Sequence, residues 1–305
     1  MLHWSMTVRK ARMKNKLSGF AVPYVGWMAL FVVIPILIMV MYSFTNSEFG
    51  MTGENFTSMG IYTPVFLRSF RLAVIATLVC LLIGYPTAYL MAKEGPGFQR
   101  IAMALIMLPM WMNFLLRTYS WMSILENNGL LNRLFARIGV IDLYNTIAMT
   151  LSANPDKYIP ITHFQMIGTS GAVVLGMVYN YLPFMILPIY SVIVKLDGSL
   201  LEAARDLGAN SATVFRRVIF PMSLPGILSG VTMVFVPSVS TFAISRLLGG
   251  GTQMMLGDLI EQQFLGGAYN PHLGAAISMV MMVVVVVCMV VMNHFGEGEE
   301  QAVML

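Results

Sequence analysis

Charge is scarce in this chain: Asp, Glu, Lys and Arg make up 10% of its residues, against roughly 25% in ordinary soluble domains. That deficit excludes a conventional solvated globular surface. Cysteine is nearly absent, and Cys80 and Cys288 both fall inside apolar runs, where a thiol behaves as a small buried hydrophobe; a disulfide framework is not expected. His3, His163, His272 and His294 are scattered without ligand-like spacing, so no metal site is expected. No G-x-x-x-x-G-K-[ST] run occurs, and the chain cannot cradle the phosphates of ATP by itself. Nor is there a G-x-S-x-G elbow or another nucleophile arrangement. An enzyme is not expected, the chain needs no cofactor of its own, and any ATP is bound by partner subunits.

What the chain has in abundance is apolar residues, 57% of its 305. A hydrocarbon core about 30 Å thick needs about 20 mostly apolar helical residues per crossing. Six stretches qualify, at about 20–43, 69–92, 101–125, 170–194, 222–246 and 273–295. They are too long and continuous for barrel strands, so the expected class is an all-α polytopic membrane protein with six transmembrane helices. The first run follows Arg9, Lys10, Arg12, Lys14 and Lys16 but is too long for a signal peptide and ends without a small-residue cleavage site; it reads as an uncleaved helix. Alternate loops carry eleven Lys and Arg on one side and six on the other, and the richer side is expected to be cytoplasmic. The layout is then a basic cytoplasmic segment 1–19, a single six-helix domain 20–295 and a cytoplasmic tail 296–305, with both termini inside and the long loop 127–169 outside. The net charge of +4 follows from this topology, and membrane lipid rather than nucleic acid is the expected surrounding.

Between the fourth and fifth runs lies a soluble-looking stretch, Leu200-Leu201-Glu202-Ala203-Ala204-Arg205-Asp206-Leu207-Gly208, continuing through Val214-Phe215-Arg216-Arg217-Val218-Ile219-Phe220-Pro221. Ser199-x-x-Glu202 fits a capping box that starts a short helix, and Gly208 suits its left-handed stop. Asn210 or Ser211 can cap a second short helix reaching about Phe220. The pattern is a cytoplasmic helical hairpin at about 199–221, a compact knob. Glu202 as a plain cap and the alanines as plain helix formers is the competing reading.

Glu202-Ala203-Ala204, three residues, Gly208, nine residues and Val218-Ile219-Phe220-Pro221 resemble the EAA motif of inner-membrane permease subunits of binding-protein-dependent ABC importers, E-A-A-x3-G-x9-I-x-L-P. Val218 and Phe220 depart conservatively from its Ile and Leu. The resemblance implies that Glu202, Ala203, Ala204, Gly208, Val218 and Pro221 belong to coupling helices seated in a partner ATPase. Leu108-Pro109-Met110-Trp111-Met112-Asn113 through Tyr119, Asn128-Gly129-Leu130, Gly84-Tyr85-Pro86, Tyr181-Leu182-Pro183 and Leu247-Leu248-Gly249-Gly250 are similar to the spermidine/putrescine branch, over about Gly26 to His294. Segment 143–168 is longer than that branch suggests. The resemblance implies a second permease subunit, two ATPase subunits, an extracytoplasmic substrate-binding protein and a bacterial inner-membrane location.

A polyamine path needs carboxylates and aromatic faces. Trp111, Asn113, Tyr119, Trp121, Tyr179 and Tyr181 lie in or beside spans, and Glu126, Asp258 and Glu261 lie near the expected outer edge. Asp258 and Glu261 share one face if their segment is helical. Interfacial anchoring competes for the aromatics, and docking or plain solvation competes for the acids. Arg117 sits within the third run, where a cation is costly unless paired; stacking on Trp121 or pairing with an acid is the preferred reading, and an anion path the alternative. Pro183, Pro188, Pro225 and Pro237, with Gly226 and Gly230, mark the fourth and fifth runs as cavity-lining or movable, although glycines also serve tight packing. Val283 to Val287 suit lipid contact. Three functions stay open: a polyamine importer permease, the same machine for another small cation, amino acid or related solute, and an ATP-independent channel or secondary transporter.

Overall fold

A computed structural model of the chain describes residues 23–151 and 159–303, and the backbone alone for 293–303. The basic stretch Arg9–Lys16, Lys157 and the His294 side chain lie outside the described residues. The fold is all-α: among the described residues the only extended pairing is an isolated antiparallel bridge between Thr45 and Met51.

In chain order the helices are α1 (Pro23–Ser43), α2 (Glu54–Ser58), α3 (Thr63–Lys93), α4 (Pro96–Trp111), α5 (Phe114–Leu125), α6 (Leu130–Arg137) and α7 (Val140–Leu151). After these come α8 (Ser170–Ile193), α9 (Gly198–Asp206), α10 (Ser211–Val214), α11 (Phe220–Ser240), α12 (Ala243–Leu248), α13 (Leu256–Leu265) and α14 (Pro271–Val303). Among the described residues, five helical spans are long and apolar enough to cross a membrane, and six if the bent α4–α5 pair is one crossing. Proline opens α3, α4 and α14 in the first turn, where its missing N–H costs nothing. The last helix runs past the expected boundary at 295, to Val303.

The third expected span, 101–125, is not one straight helix. It breaks after Trp111, and the flanking helices meet at 91°. Asn113 takes an extended conformation and its Oδ1 accepts from the N–H of Leu115 at 2.8 Å and of Leu116 at 3.4 Å. The first helix ends two residues past its internal Pro109, at Trp111, and Asn113 caps the next, while hydropathy runs unbroken across both. The fifth expected span, 222–246, ends early, at Ser240. Ser238 and Ser240 hydroxyls donate to the Val234 and Val236 carbonyls of their own helix, a local competition that weakens a helix end. Thr241 is extended and α12 starts afresh two residues later.

Two π turns have one cause. Ala29–Val33 and Phe215–Ile219 each end two residues before a proline, Pro35 and Pro221, and the residue just before the proline donates to the carbonyl five back (Ile34 to Ala29, Phe220 to Phe215). Proline cannot bond to the carbonyl four back and crowds it; a wider turn accommodates the ring without ending the helix.

The chain divides into two compact units, 1–61 with 262–282 and 62–261 with 283–305. In the first, the Ser43 Oγ of α1 lies 3.2 Å from the Met279 sulfur of α14. In the second, α3, α8 and α11 pack on one another around Tyr85, Ala88, Met185, Ile189, Ile227 and Val234, and α12 closes a second core with Leu72, Val173, Met177, Ile244 and Leu248. The α8–α11 seam depends on glycine. A Cβ on Gly226 would stand 2.9 Å from the Pro188 carbonyl oxygen, and one on Gly230 would stand 2.8 Å from the Met185 sulfur, so both are close-packing positions.

Candidate functional site

The hairpin between α8 and α11 is built from local backbone chemistry. Asp197, not Ser199, caps α9: its Oδ1 accepts from the Ser199 N–H at 2.9 Å, and α9 begins at Gly198. The expected Ser199–Glu202 capping box is therefore not formed, because an equally strong cap stands two residues earlier. Hydrogen bonds from Ser199, its backbone N–H first, hold the Asp197 carboxyl below the usual carboxylate range. The other end of α9 closes with a Schellman turn: Gly208 N–H donates to Arg205 at 2.8 Å, Ala209 N–H to Ala204 at 3.1 Å, and Gly208 has φ +84°. Asn210 then caps the next helix, accepting from the Thr213 N–H at 2.8 Å. That helix is not a second short one. It passes through the π turn directly into α11, giving one helical stretch from Ser211 to Ser240.

This geometry puts the motif residues on one small surface. Glu202 and Ala203 are exposed, while Ala204, Gly208, Thr213, Arg217 and Val218 line a shallow cavity of about 380 Å³. Pro221 lies further along, in the first turn of α11. Leu207 is 90% exposed; it was not singled out from sequence, although an apolar residue just before the glycine stop of a polar helix was a readable signal. The hairpin is anchored to α3 by rings: Phe215 lies edge-on to Tyr85 (5.9 Å) and Tyr89 (5.2 Å), and within α3 Lys93 Nζ stands 4.2 Å over Tyr89.

The residues expected near a path fall into separate settings. Asn113 is the cap of α5, Trp111 is exposed at the end of α4, and Tyr119 is exposed on α5. Trp121 and Tyr179 meet edge to face at 5.4 Å, and the Arg117 guanidinium lies over the Tyr179 ring at 6.0 Å. The stacking partner of Arg117 is thus Tyr179 rather than Trp121. Arg117 is only 8% exposed, its Nε and Nη1 have no hydrogen-bond partner, and no ion pair to it forms among the described residues. The Tyr181 hydroxyl donates to the Pro237 carbonyl at 3.4 Å, joining α8 to α11.

Asp258 and Glu261 do lie on a helix, α13, and both are engaged. Asp258 is 5% exposed, and its Oδ2 accepts from the Met255 N–H at 3.0 Å, the return half of a capping box. Burial pushes its carboxyl above the usual range, against hydrogen bonds from Ser245 and Met255 and the charge of Arg246. Glu261 pairs with Arg246, Oε1 to Nη1 at 3.1 Å and Oε2 to Nη2 at 3.0 Å. Among the described residues no cluster of His, Cys, Asp or Glu could hold a metal ion.

A bundle of lipid-length helices with an exposed, sharply capped hairpin between α8 and α11 defines a polytopic membrane protein. The family model for the binding-protein-dependent transport system inner membrane component matches residues 81–297, and the chain belongs to that family. It is 38% identical over 273 residues to the PotB permease protein of the Haemophilus influenzae spermidine/putrescine transport system, covering 87% of this chain and 88% of the relative. Identity to the Escherichia coli K12 PotB protein is 37% over 271 residues, covering 86% and 91%. The fold is similar to a chain of a bacterial ABC transporter that imports the acidic polysaccharide alginate (TM-score 0.71, 16% identity, 95% and 97% covered). It is more distantly similar to a methionine ABC transporter (TM-score 0.53, 17% identity, 81% and 98% covered). The chain is accordingly a multi-pass bacterial inner-membrane transport subunit and not an enzyme.

Proposed function

We propose that this chain is one permease subunit of an ATP-driven importer of polyamines, spermidine or putrescine in kind. It would act with a second permease subunit, two ATPase subunits that bind the ATP and an extracytoplasmic substrate-binding protein. The observation that carries the substrate class is the 38% identity to a spermidine/putrescine permease over 87% of the chain. The hairpin supports the coupling half of the reading: Glu202, Ala203 and Gly208 are exposed, Ala204 and Val218 are half-buried beside them at the shallow cavity, and Pro221 leads the stretch into α11. The surplus of Lys and Arg beside the hairpin favours its cytoplasmic placement with both termini, and the domain layout of residues 1–19, 20–295 and 296–305 goes with that orientation.

Substrate passage is assigned to the α8–α11 side of the bundle, with Trp111, Asn113, Tyr119, Trp121, Tyr179, Tyr181, Asp258 and Glu261 as candidate lining. The engaged states of Asn113, Asp258 and Glu261 make the aromatic side chains the stronger members of that set. The test is uptake of radiolabelled spermidine and putrescine into vesicles holding the reconstituted complex, with and without ATP. ATP-dependent uptake supports the proposal. Uptake that ignores ATP rejects the importer, and ATP-driven uptake of another solute alone rejects the polyamine.

A further inference from the structure

A large cavity in the unit formed by residues 1–61 and 262–282 takes no part in the reading above. It encloses about 940 Å³ between the second half of α1 and the first turns of α14, within the size range of small-molecule sites. Its two ends differ. Pro35, Ile38 and Met39 make an apolar wall continuous with the surface of α1, whose most apolar stretch is entirely unburied by the chain. The other end is polar and aromatic, and no Lys, Arg, Asp or Glu lines it.

Three observations describe that polar end. First, His272 Nδ1 lies 3.2 Å from the Tyr42 carbonyl oxygen and 3.2 Å from Thr45 Oγ1. A carbonyl only accepts, so Nδ1 carries the proton, and the Nε2 lone pair of this cavity-lining side chain has no hydrogen-bond partner among the described residues. Second, Asn46 and Asn270 have their oxygens committed, Asn46 Oδ1 to the Gly50 N–H at 2.8 Å and Asn270 Oδ1 to the Leu273 N–H at 3.1 Å, and neither NH₂ group has a partner among the described residues. Third, Tyr42 stacks on His272 at 4.9 Å and Phe49 stands edge-on to both at 6.1 and 6.2 Å. Phe49 is held at φ +57°, a strained conformation for a bulky residue.

The cavity thus offers ring faces and one acceptor, two neutral donors and an apolar trough. We propose that it binds an aminophospholipid. The primary ammonium sits against Tyr42 and Phe49 and donates to His272 Nε2, the phosphate accepts from the Asn46 and Asn270 amides, and an acyl chain lies along Pro35, Ile38 and Met39. The missing carboxylate selects between two sources of the same ammonium chemistry. A free polyamine would enter with several charges and no counter-ion in the wall, whereas a zwitterionic lipid brings its own phosphate.

The experiment is native mass spectrometry of the full-length chain released from nanodiscs of equal phosphatidylethanolamine, phosphatidylcholine and phosphatidylglycerol with matched acyl chains. One phosphatidylethanolamine is expected to stay bound, about tenfold over phosphatidylcholine, which has no N–H for His272, and over phosphatidylglycerol, which has no ammonium. Phe49→Leu, at a position 61% exposed and so safe for folding, is expected to reduce retention about fivefold through loss of one cation–π face, and His272→Ala to remove the preference over phosphatidylcholine. Equal retention of the three lipids, or retention unchanged by Phe49→Leu, overturns the proposal. Displacement by spermidine reassigns the site to a polyamine, and loss of the lipid on adding the second permease reassigns it to a partner helix; either result also overturns it.

Discussion

Substitution of Gly208 separates backbone conformation from side-chain space at the hairpin. Gly208 has φ +84°, and a Cβ built there meets nothing within 4 Å. A side chain at this position therefore causes no clash, and its whole cost is the left-handed backbone, about 1–2 kcal/mol for an ordinary L-residue. That lowers the population of the closed turn about 5- to 30-fold. Asn tolerates this region better than Ala, and a β-branched residue tolerates it least. The expected damage then rises in the order Gly208→Asn, Gly208→Ala, Gly208→Val. Two readouts apply: hydrogen exchange at the Gly208 and Ala209 amides, which close the turn onto Arg205 and Ala204, and ATP-driven uptake by the reconstituted complex. Protection of those amides and uptake should fall in parallel while the melting of the transmembrane bundle stays unchanged. Wild-type protection in Gly208→Val would refute the conformational argument. Equal damage from Gly208→Asn and Gly208→Val would show that the partner surface, not the backbone, sets the requirement.

Gly230→Leu should cost about 1–3 kcal/mol through overpacking of the α8–α11 seam, since even its Cβ would meet the Met185 sulfur and backbone; an unchanged thermal midpoint in detergent would count against that seam. Asp258→Asn should keep the Met255 cap and relieve a buried carboxylate. The raised carboxyl of Asp258 destabilises the fold at pH values above its folded pKa and ceases to do so as pH falls towards the ordinary carboxylate range, so the variant should be at least as stable as the parent at neutral pH. Loss of uptake in stable Asp258→Asn would instead assign the charge to substrate. Asp197 has the opposite sign: its lowered carboxyl stabilises the hairpin above the ordinary value near pH 4, and this contribution is lost as pH falls through the folded value. Exchange at the Ser199 amide should accelerate below about pH 4, and Asp197→Ala should abolish that pH dependence.

The all-α class, five of the spans and the hairpin were legible because hydropathy and a spaced motif report on them directly. Where the reading slipped, the cause was a short-range polar contact inside an apolar run. Asn113 is a start signal inside an apolar run, capping α5 just after α4 ends at Trp111, yet a window about 20 residues wide averages over it. Ser238 and Ser240 end α11 through their own hydroxyls, while the hydropathy continues into α12. Asp197 outcompeted Ser199 as the cap because the choice between two good capping residues depends on where α8 ends, at Ile193. Tyr179 beneath Arg117 was beyond reach in principle, since α5 and α8 are brought together only by tertiary packing. Phe49 and the asparagines went unnoticed, and His272 was weighed only as a metal ligand, because no periodic pattern joins a loop after α1 to the start of α14.

How a movement of the hairpin would reach the bundle follows from its two connections. On one side only Val194 to Asp197 separate α8 from α9, and three of these residues are themselves hydrogen-bonded back to Tyr190, Val192 and Ile193, so the link has little slack. On the other side there is no link at all, because the π turn carries α10 straight into α11. The proposed coupling surface is thus tied at both ends to helices that cross at Gly226 and Gly230 with no room for a Cβ. A close-packed seam resists continuous deformation. A displacement of the hairpin by an ATPase would then be passed on as a relative shift of α8 and α11, with Pro183, Pro188, Pro225 and Pro237 supplying the places where their backbone bonding is already interrupted. The rings that fasten Phe215 to Tyr85 and Tyr89 extend the same movement to α3, so the unit that responds is the three-helix core rather than a single lever.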